Sequence, residues 1–292
     1  LPVKFYNVGL CEDAKSSCFT TTFFVRRRLS PEKKRGLLLK KLPTHEKPGE
    51  NMRIAILSDI HGNLEALDAV IRNIGHRRVD VIVSLGDMIG YGPDPDAVVQ
   101  QVRDLQCYAL LGNHEASLIG EGARRWMNFQ AQENNILTEA LLSPENLTYC
   151  RRLPRSLRLG GLMFVHGYPP DSVFAYLFNQ SDRKIAELFA SSPGVIFFIG
   201  HTHDLQLIQG DGLNIIREPL AEGRIHLVGE RSYIVNAGSV GQPRDGDNRA
   251  KYLVWDDSTG ELEVLFVPYD FTATARKIRE RGFPDVYAER LR

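Results

Sequence analysis

The sequence predicts an α/β fold of short strands, buried on both faces, with a ligand site at their carboxyl ends. Three observations carry that prediction. Strand-sized runs rich in Ile, Val and Phe recur at Ile54–Leu57, Val79–Leu85, Tyr108–Leu111, Leu162–Val165, Val195–Ile199, Ser232–Val235, Tyr252–Trp255 and Leu262–Val267. Helix-forming stretches fall between several of them, the alternation of an α/β core. Five successive runs end in a turn holding Asp, Asn or His, at the sheet end where open α/β folds bind ligands.

After Ile54–Leu57, residues Leu64, Leu67, Ala69, Val70 and Ile71 form a helical stripe within Asn63–Arg72. Asn63 is suited to cap that helix, and Glu65 and Asp68 lie near its positive end. Asp94–Val102 and Arg183–Phe189 also read as helices. The stretch Glu115–Tyr149 is polar and helix-forming, and is expected to cap one end of the sheet. The late runs, 225–267, are separated by short turns and suggest a second, largely antiparallel sheet. Thr272–Arg292 reads as an amphiphilic helical tail.

Composition narrows the class. With 292 residues, 43% hydrophobic and 25% charged, the chain is neither wholly disordered nor collagen-like nor coiled coil. No apolar run approaches the ~18 residues of a membrane-spanning helix. Thirty-six basic residues balance 36 acidic ones, but unevenly along the chain. Residues 1–50 carry 11 Lys and Arg against 5 Asp and Glu, a net of +6, and residues 51–292 carry −6. The expected organisation is a basic N-terminal extension over 1–51, disordered or upstream of the true start, followed by one folded unit over 52–292. A net of −6 in that unit gives no basic stripe for a nucleic-acid backbone, so a small-molecule partner is expected rather than nucleic acid or membrane. Cys11, Cys18, Cys107 and Cys150 form no CxxC pair, which suits a reducing, cytoplasmic setting.

The five turns read Asp59-Ile60-His61, Gly86-Asp87, Gly112-Asn113-His114-Glu115, His166-Gly167 and Gly200-His201-Thr202-His203. Any one alone is an ordinary loop. Together they gather five of the eight histidines; His45, His76 and His226 fall elsewhere and read as surface or half-buried residues. His201 and His203, two apart, reach a metal only if the backbone bends, and the glycines are expected to supply that bend.

This constellation resembles the calcineurin-like metallophosphoesterase superfamily. The loop Asn236-Ala237-Gly238-Ser239-Val240-Gly241-Gln242-Pro243-Arg244 is similar to one in its small bacterial and archaeal phosphodiesterases. The resemblance runs from Met52 to about Asp270. It implies a four-layer α/β/β/α sandwich with a dimetal site at the carboxyl ends of the strands. Asp59, His61 and His203 are then expected on one ion, and Asn113, His166 and His201 on the other. Asp87 bridges them, because two adjacent cations need a shared anion. This mixture of imidazole, carboxylate and amide suits transition ions better than Ca²⁺. Mn²⁺ leads the expectation, with Fe, Zn²⁺, Ni²⁺ and Co²⁺ compatible.

The resemblance also implies in-line attack of a metal-bridging hydroxide on phosphorus, with no covalent enzyme intermediate. His114 is expected to face the substrate as catalytic proton or hydrogen-bond donor, with Glu115 or a nearby carboxylate orienting its ring. Phosphoprotein phosphatases and diadenosine-tetraphosphate hydrolases of the superfamily usually read Gly-Asp-x-x-Asp-Arg-Gly in the second motif. Here it is Gly86-Asp87-Met88-Ile89-Gly90-Tyr91-Gly92, without the arginine that clamps a dianion. That departure favours small phosphodiesters, with Arg244 as a substitute clamp and Tyr91, Phe129 or Tyr168 as stacking partners. The alternatives are a phosphomonoesterase or protein phosphatase, a dinucleoside-polyphosphate hydrolase and, last, a non-catalytic scaffold.

Overall fold

The computed structural model describes residues 52–125, 127, 129–210, 214–228 and 231–292; the extension expected over 1–51 lies outside them. The first half contains β1 (Arg53–Leu57), α1 (Leu64–Gly75), β2 (Val81–Ser84), α2 (Pro95–Asp104) and β3 (Tyr108–Ala109). Next come α3 (Asn113–Ala116), α4 (Glu121–Arg124), α5 (Phe129–Leu141), α6 (Pro144–Cys150), β4 (Ser156–Leu159) and β5 (Leu162–Val165). The second half holds α7 (Asp182–Ser191), β6 (Ile196–Ile199), β7 (Leu205–Gly210), β8 (Ile215–Pro219), β9 (Gly223–His226) and β10 (Tyr233–Ala237). β11 (Ala250–Asp256), β12 (Glu261–Val267), α8 (Phe271–Glu280) and α9 (Asp285–Glu289) complete the chain.

Among the described residues two six-stranded sheets result, ordered β3-β2-β1-β11-β12-β9 and β4-β5-β6-β10-β7-β8. Strand alternation turns them into four layers. From β1, Ala55 and Leu57 face outward onto Leu67, Val70 and Ile74 of α1 and Val98, Val99 and Val102 of α2. Ile54 and Ile56 face inward and meet Phe164, Phe198 and Val235 of the other sheet. Val165, Phe197, Ile199 and Ile234 line the second sheet's outer surface, against Ile185 of α7. This is the α/β/β/α sandwich.

Each sheet holds three mutually parallel neighbours. β1, β2 and β3 run together in the first, β5, β6 and β10 in the second. Parallel strands deliver their carboxyl ends to the same side, so six loops converge on one edge of the sandwich. Asn63 caps α1 as expected, its side chain accepting from the Ala66 amide at 3.1 Å. Lys277 of α8 pairs with Glu65 at 2.5 Å and Asp94 at 2.8 Å, tying the helical tail to the body.

One expectation is corrected. The strands over 225–267 do not form a sheet of their own. β11 joins the first sheet antiparallel to β1, and β12 and β9 extend it by further antiparallel pairing, while β10 enters the second beside β6. Short turns fix which strands follow one another in the chain, but not which sheet each joins. Apolar runs also miss β4, β7 and β8, where Arg158, Gln206, Gln209 and Arg217 interrupt the pattern. β4 and β8 are sheet edges with one face toward solvent, so continuous hydrophobicity is not required of them.

Candidate metal centre

The loops after β1 and β2 are bonded to each other before any side chain enters. The Asp59 amide donates to the Gly86 carbonyl at 3.1 Å, His61 to Asp87 at 2.9 Å, and Gly62 to Met88 at 2.8 Å. The loop after β10 closes on the first of these, with Gly241 donating to the Asp59 carbonyl at 3.0 Å and Ser239 Oγ to the same oxygen at 2.7 Å. The Asn236 side chain donates to Thr202 Oγ1 at 2.7 Å, bracing the segment that carries His201 and His203. Asp59, His61, Asp87, His201 and His203 all sit at positive φ, between 49° and 71°. Such backbone costs about 1–2 kcal/mol per non-glycine residue and persists where its surroundings enforce it, as at functional sites.

The bend at His201 and His203 therefore comes from the histidines themselves. Gly200 serves a different need: a Cβ there would lie 1.9 Å from Ser58 Oγ and 2.6 Å from Asp59 Oδ2.

The converging side chains form two sets. In the first, Asp59 Oδ1 lies 3.6 Å from His61 Nε2 and 3.3 Å from His203 Nε2, and those two nitrogens are 3.1 Å apart. Each imidazole uses its other nitrogen on a carbonyl, His61 Nδ1 donating to Ile89 at 3.0 Å and His203 Nδ1 to Gln242 at 2.6 Å. With the proton on Nδ1, both Nε2 lone pairs face each other and a carboxylate oxygen that accepts no hydrogen bond among the described residues. Three electron-rich atoms in that arrangement repel one another unless a cation lies among them. The donor set fits a divalent ion.

The second set is Asp87, His166, His201 and Asn113. Asp87, His166 and His201 each offer a ligand atom within 4.8 Å of the others. His166 Nε2 is 3.3 Å from Asp87 Oδ2 and 3.0 Å from Asn113 Oδ1, while its Nδ1 faces the Leu85 carbonyl at 3.2 Å. His201 donates from Nε2 to the Phe174 carbonyl at 3.3 Å, leaving Nδ1 for the centre. Asp87 Oδ2 is also 3.9 Å from His61 Nε2, so one carboxylate oxygen stands between the two sets. Burial opposes the charge on both carboxylates, but the surrounding imidazoles outweigh it and hold Asp59 and Asp87 below the usual range.

His114 is fully enclosed beside them. Its amide donates to Asp87 Oδ1 at 2.9 Å, its Nε2 lies 4.0 Å from Asp87 Oδ2, and its Nδ1 has no hydrogen-bond partner among the described residues. Burial pushes its pKa down to about 3, so the ring is neutral at physiological pH. His61, Asp87 and His114 also satisfy ligand spacing, so geometry alone allots His114 to neither metal binding nor proton donation. Gly90 makes room for this ring: it has φ +88°, and a Cβ there would lie 2.1 Å from His114 Nδ1. Glu115 does not orient His114. Its carboxylate accepts from the amides of Asp87, Met88, Ile89 and Gly112 at 2.8–3.2 Å and clamps the second loop instead.

Helix α5 closes the site from outside with a polar buried face. Asn134 Oδ1 accepts from the Tyr91 amide at 2.6 Å, and Asn135 Nδ2 donates to the His114 carbonyl at 3.2 Å. The cap expected over 115–149 is thus a second support for the loops. Of the three proposed stacking residues, only Tyr91 stands at the centre, 4.5 Å from both His61 and His114 between ring centroids and 4.8 Å from Tyr287 of α9. Phe129 is exposed on α5, and Tyr168 packs outside the second sheet with its hydroxyl on the Lys184 carbonyl. Sequence reasoning missed Tyr176, whose ring stacks on His201 at 3.9 Å and 15°. No periodicity marks a residue in an irregular loop. Arg244 follows the Gln242 carbonyl that holds His203; its side chain is exposed, and its charge acts on Tyr91, Tyr176 and His203.

Comparison with known proteins gives the family. Residues 52–260 match the family model described as the calcineurin-like phosphoesterase superfamily domain. A protein of Methanocaldococcus jannaschii is 34% identical over 243 residues, covering 82% of this chain and 96% of that one. A metallophosphoesterase from Sphaerobacter thermophilus superposes with a TM-score of 0.71 at 36% identity, over 82% of this chain and 98% of its own. A Pyrococcus horikoshii protein shares the fold at a TM-score of 0.63 and 18% identity, over 82% and 97%. The chain belongs to the calcineurin-like phosphoesterase superfamily.

Proposed function

We propose that the chain is a dinuclear metal-dependent phosphodiesterase acting on small diesters. The observation that carries this reading is Asp87 Oδ2, shared between a set containing His166 at 3.3 Å and one containing His61 at 3.9 Å. Asp59, His61 and His203 would hold one ion and Asn113, His166 and His201 the other, with Asp87 common to both. Such a pair supplies Lewis acidity and activates water near neutral pH. Mn²⁺ is the ion we favour, with Fe, Zn²⁺, Ni²⁺ and Co²⁺ also suited to the donors.

The remaining work falls to the protein's own groups. His114, neutral and enclosed, offers an N–H to the oxygen that gains charge as the ester bond breaks. Its position depends on Gly90 and on the Asn135 hydrogen bond to its carbonyl. Arg244 supplies a guanidinium to the phosphate from the rim. In the second motif Gly90 and Tyr91 stand in place of an arginine-bearing pair, and a diester's single charge needs less compensation than a monoester's two. The free thiols of Cys107 and Cys150 support a cytoplasmic setting. Among the described residues no helix is long and apolar enough to cross a membrane.

The test compares Mn²⁺-supported turnover of bis-p-nitrophenyl phosphate and p-nitrophenyl phosphate. The reading predicts a preference for the diester. A strong preference for the monoester sinks it in favour of a phosphatase, and inactivity on both, with metals bound, favours a scaffold.

A further inference from the structure

Beside the metal centre lies an aromatic ladder that the chemistry above does not use. Tyr176 stacks on His201, with centroids 3.9 Å apart at 15°, and Phe178 stacks on Tyr176 at 4.8 Å and 20°. The three rings step outward from a candidate metal ligand to solvent, and Phe178 is 67% exposed. Core packing does not explain Phe178. Its neighbour Leu177, 2% exposed, anchors this short turn against Ile185 and Val165. Exposing a phenyl ring costs hydrophobic free energy, and here the ring's orientation is fixed by the one below it.

The ladder's charge setting points to its ligand. Tyr176 lies within electrostatic reach of Asp59, Asp87 and Arg244. Because the rings lead outward from His201, a molecule with its phosphate at the centre can lay its ester substituent along Tyr176 toward Phe178. An aliphatic substituent gains little there, whereas a planar π-system gains stacking area and a defined orientation.

We propose that Tyr176 and Phe178 form a stacking platform that selects phosphoesters bearing a planar aromatic group, a nucleobase or aryl ring, with Phe178 the ring that receives it. This rests on the assignment of the phosphate to the metal centre and deepens it by naming the substrate class. Tyr176 supports the platform and shields His201; Phe178 sets specificity.

The experiment is calorimetric titration of the Mn²⁺-loaded protein with AMP and with ribose 5-phosphate, which share the phosphate and differ in the base. AMP should bind roughly tenfold more tightly, the usual gain of one stacked base. The ratio should collapse toward one in Phe178→Ala and persist in Phe178→Trp. Equal affinities in the wild type, a ratio that survives Phe178→Ala, or no binding of either ligand would each overturn the platform. Failure of the diesterase reading is recorded separately, by turnover of the two p-nitrophenyl substrates, which the binding ratio does not use.

Discussion

At the centre of the site, Asp59, His61, Asp87, His114, His166 and His203 are each 3% exposed or less, and all of these side chains except the His114 ring are held by backbone amides or carbonyls. At the rim, Arg244 is exposed with no hydrogen bond or ion pair among the described residues, on a loop pinned by side-chain charges. Lys251, itself 1% exposed, donates to Asp245 Oδ1 at 2.7 Å and to the Asp247 carbonyl, and Arg249 grips Asp247 at 2.6 Å and Glu222 at 2.9 Å. The centre must hold like-charged or lone-pair-rich atoms together before any ion arrives, so its geometry is enforced by strained backbone and buried hydrogen bonds. The rim needs one guanidinium free to meet a ligand, so the loop is fixed while the side chain is left open. Preorganisation belongs to the first region and adaptability to the second.

Substitutions should separate the two regions by the parameter they change. The largest effect is expected at His114: His114→Ala should lower kcat by roughly 10²–10⁴-fold, the range for a positioned proton donor, with metal content unchanged by elemental analysis. Equal loss of metal would move His114 into the ligand set. Arg244→Ala should raise KM for the diester by roughly tenfold with little change in kcat, as expected when a charge-assisted hydrogen bond to bound substrate is lost. A loss confined to kcat would instead place Arg244 at the reacting oxygens.

The smallest effect concerns the metal-free protein. Burial alone would lower the pKa of His166, but the Asp87 carboxylate and its hydrogen bond outweigh that and raise it to about 9. A folded-state value above the unfolded ~6.5 contributes stability that is fully present below about pH 6.5 and is lost as pH rises through about 9. Chelated protein should therefore lose a few degrees of thermal midpoint across that window, in a differential scanning series. A flat profile would show that no proton takes the place of a cation at Nε2. The metal-loaded protein should lack this slope.

Legibility in the sequence follows the same division. Residues of the centre sit directly after apolar parallel strands, so Asp59, Asp87, His166 and His201 are readable from strand ends alone, and the structure brings them to one edge. The supports are less readable. Glu115 is adjacent to His114 in sequence yet serves the loop after β2, because α3 turns its side chain away from the ring. Asn134 and Asn135 lie on a helix whose buried face is polar, the reverse of the pattern that marks amphipathic helices. Tyr176 and Phe178 belong to a loop whose path is set by tertiary contacts such as the Phe174 carbonyl on His201. Sheet membership of β9 to β12 was equally hidden, since pairing depends on which edge is open when the strand returns.

Seven side chains from both sheets should cage two neighbouring cations around Asp87. Anomalous diffraction from crystals of the protein grown with Mn²⁺ tests it most directly. Two peaks roughly 3.5–4 Å apart, flanking Asp87 Oδ2 with one beside Asp59 and the other beside His166, are the predicted result. A single peak, or two peaks that do not share Asp87, would contradict it.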